Sequence, residues 1–132
     1  MLHPNQFEIN EAWIAFWLND EPSHTARDGS FNCICIMDAA SCYILGHVMT
    51  PAHEAEPSHL EAEHLLKAGW EHKKEMPRML FVPKDQFEDH LTAAAQNENI
   101  DVVPVAEQDL LVFIEDARKA YKAHVRATRS QR

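Results

Sequence analysis

At 132 residues, 45% of them apolar and 25% charged, the chain has the size and make-up of one globular domain with its own core. Its net charge of −9 is unevenly spread: the first 117 residues hold six basic against 21 acidic side chains, net −15, and the last 15 hold six basic and no acidic ones. So acidic a body repels nucleic-acid phosphates, no apolar run approaches the roughly 20 residues that span a bilayer, and three glycines leave little backbone for a phosphate cradle.

The elements in chain order begin with residues 7–19, where Trp13, Ala15 and Trp17 alternate with Ala12, Ile14, Phe16 and Leu18. Ile9, Trp13, Phe16 and Trp17 also fit a helical period, but the aromatic content favours a strand. Asp20 to Ser30 is made of turn formers and reads as a loop. Phe31 to Met37 is apolar on both alternating faces, so it predicts a strand covered on both sides. Asp38 to Ser41 supplies a turn, with Asp38 accepting bonds from its own downstream backbone. Cys42 to Met49 returns as a second strand, with Gly46 at a bulge.

A polar bridge, 51–57, leads to a helix over 58–73 whose apolar face holds His59, Ala62, Leu65, Leu66, Gly69 and Trp70. Met76-Pro77 stops it. Residues 78–82 form a short buried strand ended by Pro83. Asp85 and Glu88 then carry the reciprocal capping pattern at the head of another helix, with Phe87, Leu91 and Ala94 inward. Ile100 to Val105 is a strand in which Pro104 marks an edge or the strand's end. The last helix spans 107–125 and is followed by a basic, flexible tail at 126–132. Cys33, Cys35 and Cys42, odd in number and inside strand-like runs, behave as buried small hydrophobes. With no basic-then-apolar leader at the N-terminus, they point to a reducing cytoplasm.

The order strand, strand, strand, helix, strand, helix, strand, helix predicts a single α/β domain with a mixed sheet and a right-handed parallel crossover. It resembles the ribonuclease H-like fold. Residues 36–48, Ile-Met-Asp-Ala-Ala-Ser-Cys-Tyr-Ile-Leu-Gly-His-Val, resemble the opening of transposase and integrase catalytic cores, where a strand ends in Asp before a Ser-containing turn and an Ile-x-Gly strand. Residues 76–82 resemble the later strand of those cores, and the likeness covers about 31–125. In active members, carboxylates of the first strand, the fourth strand and the last helix hold two metal ions for phosphodiester cleavage. The resemblance therefore implies Asp38 as one ligand; Asp85 stands near the place of the second acid, and Glu107, Asp109, Glu115 and Asp116 are the candidates for the last-helix acid. Where the second acid should follow the strand, however, this chain has Val82-Pro83-Lys84.

Two sequence readings compete with a metal role. Asp38 suits the first position of a turn, and Asp85 suits a helix cap. The leading expectation is accordingly a non-catalytic domain of degenerate ribonuclease H-like fold, without cofactor, that binds a protein or forms a homo-oligomer. One alternative is a nuclease or phosphoryl-transfer enzyme using Asp38, Asp85 and Glu115 with magnesium or manganese. Another is metal or small-ligand binding by the histidine-rich segment 47–72, through His59, Glu61 and His64.

Overall fold

The computed structural model describes residues 2–19, 23–25 and 29–130. Its strands are β1 (Ala12–Trp17), β2 (Ser23–Thr25), β3 (Gly29–Asp38), β4 (Ile44–Pro51), β5 (Met79–Pro83) and β6 (Asp101–Val105). The helices are α1 (His59–Lys73), α2 (His90–Asn97) and α3 (Glu107–Ser130). The core of the sheet runs β4-β3-β1-β5-β6, antiparallel at β4/β3 and β3/β1, parallel at β1/β5 and β5/β6. Pro104 lies on β6, the edge strand, where its missing amide costs least.

β1 sits at the centre, and its ambiguous period has a structural reason. Trp13 and Ala15 face one core cluster, with Ile34, Ile36, Leu65, Leu66, Leu80 and Leu91. Ile14 and Phe16 face the other, with Cys35, Met37, Phe81, Leu110, Phe113 and Ile114. A strand buried on both faces loses the polar alternation that would mark it. α1 and α2 therefore cover one side of the sheet and α3 the other. The register irregularity in the β3–β4 hairpin falls between Ile36 and Met37, which pair with Gly46 and Ile44 and leave Leu45 as the extra residue. A side chain at position 46 would place its Cβ 2.7 Å from that of Ala68, so glycine is what lets α1 approach β4.

Three expectations change. The 20–30 segment is not all loop: β2 lies within it and β3 already starts at Gly29, because Ser23–Thr25 pair with Gly29–Phe31 beyond the end of β1. Residues 20–22 and 26–28 of that segment lie outside the described residues. The last helix continues past Val125 to Ser130, through most of the segment expected to be a tail.

The third change is the start of α2. Asp85 and Phe87 adopt left-handed backbone (φ 65° and 57°), which swings the fully buried Phe87 ring to 5.2 Å from Trp17 and postpones the helix to His90. The cap comes from elsewhere: the Glu56 carboxylate accepts from the amides of Asp89 (3.2 Å), His90 (2.6 Å) and Leu91 (3.4 Å). An anion there satisfies free amides and complements the helix dipole. Glu56→Ala should therefore cost about 1 kcal/mol of stability in urea denaturation, the usual worth of a cap; an unchanged midpoint would show that water replaces the carboxylate without loss.

Candidate functional site

Asp38 ends β3 and is 3% exposed. Its Oδ1 accepts from the Asn10 amide at 2.7 Å, and its Oδ2 accepts from the Ser41 amide (3.0 Å) and hydroxyl (2.7 Å). Its own backbone closes the hairpin, donating to the Tyr43 carbonyl and accepting from Cys42. Asn10 holds a left-handed backbone (φ 65°), a conformation asparagine tolerates well. It also ties three segments together: its Oδ1 accepts from Trp13 Nε1 at 2.7 Å, and its Nδ2 donates to the Glu75 carbonyl at 3.0 Å. A cavity of about 390 Å³ opens beside this corner, bounded by Ile9, Ser41, Tyr43, His72 and Lys73. Asn10 escapes a reading of the sequence, which runs residues 7–19 together as one strand, whereas β1 starts only at Ala12 and Asn10 lies in the turn before it.

The three carboxylates implied by the resemblance are not brought together. Asp38 pairs with Trp13, and Trp13 with Leu80, so Asp38 is level with the start of β5. Asp85 follows the opposite end of that strand. Pro83 alone is about 10 Å further along and two strand spacings, about 9.6 Å, across, whereas paired metals sit about 4 Å apart. Glu115 is exposed on α3. Among the described residues no three His, Cys, Asp or Glu side chains form a metal-binding group.

The carboxyl ends of β1 and β5 lie side by side in the sheet. β1 reads Ala-Trp-Ile-Ala-Phe-Trp and β5 Met-Leu-Phe-Val-Pro, with no carboxylate in either. A cation occupies that end. Arg118 on α3 donates from Nε to the Trp17 carbonyl at 3.0 Å and pairs with Glu107 at 2.9 Å, its side chain 16% exposed. Guanidinium is permanently charged, and it repels divalent ions. The residues present here do not fit two metals.

The histidine-rich segment separates in the same way. Glu61 is occupied in the capping box of α1, whose N-cap is Ser58, accepting from the Ser58 amide at 2.8 Å and from Thr50 Oγ1 at 3.1 Å. His59 pairs with Glu63 at 2.9 Å on the exposed side of α1, not on the apolar face where the period placed it, and His64 is exposed. The cysteines are free. Burial raises Cys33 to about 11 and raises Cys35 further, with the neighbouring Cys33 adding and Arg118 opposing. Cys42, half-buried, is raised by burial and then by Asp38 and Asp116. None of the three is primed as a nucleophile, since a reactive cysteine needs its thiolate.

No family model and no curated protein matches the sequence. Among solved structures, the chain superposes on the simian T-cell lymphotropic virus intasome, solved in complex with PP2A regulatory subunit B56 gamma, with a TM-score of 0.66 at 11% identity. That match covers 92% of this chain and 42% of the other. The catalytic core domain of BIV integrase is also similar, with a TM-score of 0.59 at 9% identity over 93% of this chain and 74% of that one.

The fold is ribonuclease H-like.

The chain thus spans less than half the length of the intasome chain and about three-quarters of the integrase core. Within the ribonuclease H-like order, β1 is the first strand, β3 and β4 complete the meander, and β5 and β6 are the parallel pair on the other side. Asp38 therefore ends the second strand of the meander, not the first. The likeness of residues 36–48 to a strand–Asp–turn motif thus falls on the hairpin corner between β3 and β4. No helix among the described residues is long and apolar enough to cross a membrane.

Proposed function

We propose that this ribonuclease H-like domain works without metal-dependent chemistry, as a module that binds a protein or a second copy of itself. The observation that carries the reading is Arg118, paired to Glu107 at the carboxyl end of a first strand that has no carboxylate. A two-metal mechanism needs convergent anions to hold its ions and to balance their charge. Here the same end is closed by a salt bridge and a backbone contact. Support for a binding role comes from the exposed apolar side chains of α1 and the β3–β4 corner: Leu60 is 75% exposed, Tyr43 59% and Trp70 38%. Large rings left at the surface are enriched where proteins meet. A chain of the same fold, in the intasome, was solved in complex with a protein subunit.

The test is incubation with magnesium or manganese and a panel of single- and double-stranded DNA, RNA and hybrids. No cleavage above buffer is expected. Metal-dependent cutting that disappears in Asp38→Asn, Asp85→Asn or Glu115→Gln would overturn the reading and restore the nuclease.

A further inference from the structure

The two edges of the sheet differ in how they are closed. β6 is five residues long and carries Asp101 and Pro104, whose missing amide blunts the edge. β4 pairs with β3 alone among the described residues, and its eight residues, Ile-Leu-Gly-His-Val-Met-Thr-Pro, include no Asp, Glu, Lys or Arg. The bulge at Leu45 and the proline at position 51 leave a regular stretch, Gly46 to Thr50, between them. The Ala52 amide bonds to the Ser30 carbonyl, and this fixes the alternation of the ladder. Thr50, Val48 and Gly46 turn their amides and carbonyls toward β3. His47 and Met49 turn theirs outward, and no described residue bonds to them. Both side chains are exposed, Met49 to 46%.

We infer that β4 is the seam of a two-fold dimer, pairing antiparallel with β4 of a second copy about an axis at Val48. The inference rests on the binding role proposed above and names its partner. In that register His47 of each copy stands opposite Met49 of the other, and all their outward amides find carbonyls. A shift that set His47 opposite His47 would turn Met49 to Leu45, which sits at the bulge. Charge and order select the occupant. On a two-fold seam each strand meets its own sequence, and like charges directly opposite one another destabilise a strand pair. β4 meets its copy without opposing a single charge, in a chain of net charge −9. An extended segment of another protein must first be ordered, at a cost in conformational entropy, whereas a second β4 is already a strand. Backbone bonds between uncharged strands gain nothing from low salt. The two acidic bodies repel each other less as the screening length falls from about 10 Å at 0.1 M to about 3 Å at 1 M. Association therefore tightens with salt.

Sedimentation velocity of the full chain tests this with three variants, each shown to be folded by its circular dichroism melt. The wild type should dimerise as concentration rises, with a larger dimer share at about 1 M salt than at about 0.1 M. His47→Lys with Met49→Lys sets lysine opposite lysine across the seam and should lose the dimer. His47→Glu with Met49→Lys sets glutamate opposite lysine in this register alone and should keep it. Val48→Cys should form an intermolecular disulfide on mild oxidation that the wild type does not form. A non-hydrogen-bonded pair holds its Cα atoms about 4.5 Å apart, within disulfide reach. A wild type that stays monomeric up to about 1 mM, where even a weak contact registers, overturns the inference and leaves the edge to a segment of another protein. A dimer that survives the double lysine substitution overturns it as well, by placing the contact elsewhere. So does a folded but monomeric glutamate–lysine variant, or a Val48→Cys dimer that does not cross-link. None of these outcomes touches the cleavage assay, on which the non-catalytic reading stands or falls separately.

Discussion

Gly69→Ala should destabilise the protein, although propensity alone argues for the reverse. Alanine in a helix interior is favoured over glycine by about 1 kcal/mol. At this position, however, the new Cβ would meet the Trp13 ring at 2.6 Å (Cη2) and 2.8 Å (Cζ3). That ring is fully buried on the central strand and pinned by its Nε1 bond to Asn10. Neither the strand nor the ring can give way without opening the corner. Overpacking of this kind costs about 1–3 kcal/mol, so the clash outweighs the propensity gain, and Gly69→Val should lose more. Equilibrium urea denaturation reads the effect. In a Trp13→Phe background the smaller ring frees the space, and Gly69→Ala should become neutral or stabilising. A cycle with no coupling between the two sites would mean that α1 simply moves away.

Asp38→Asn should cost about 2–3 kcal/mol while changing no catalytic property. The carboxylate accepts three bonds from a nearly buried position, two of them from backbone amides that have no evident substitute. An amide in its place turns one acceptor into a donor and points it at an N–H or a hydroxyl. Leaving a buried donor unsatisfied costs about 1–3 kcal/mol, and bonds to a charged acceptor are the stronger kind. Ser41→Ala should lose less, since it removes only the hydroxyl. A denaturation midpoint that does not move, together with loss of an ion-dependent signal, would make Asp38 a ligand and not a corner.

The elements most legible in the sequence are those whose signals are local. The helix after Ser58 shows in its apolar period, and the structure adds a cap in which Ser58 and Glu61 exchange backbone bonds. The turn at Asp38–Ser41 is readable because aspartate and serine bond to neighbours a few residues away. The same local logic fails at Asp85 and Glu88. Their spacing is right for a cap, but burying Phe87 requires a left-handed turn there, and the true cap, Glu56, lies 34 residues earlier than His90. β2 escapes for a related reason: three residues that pair only with the start of β3 leave no period to detect.

The candidate site divides along the same line. Composition and order of elements determined the fold class, the two-sided burial of the Cys33–Met37 strand, and the separation of acidic body from basic end, because each depends only on the succession of residues along the chain. Tertiary structure alone decided which strand is central, that Asp38 and Asp85 stand at opposite ends of the sheet, and that Arg118 sits at the carboxyl end of β1. Those are facts of register and packing between residues as far apart as Trp17 and Arg118, 101 positions along the chain, and a linear pattern carries no distance between them.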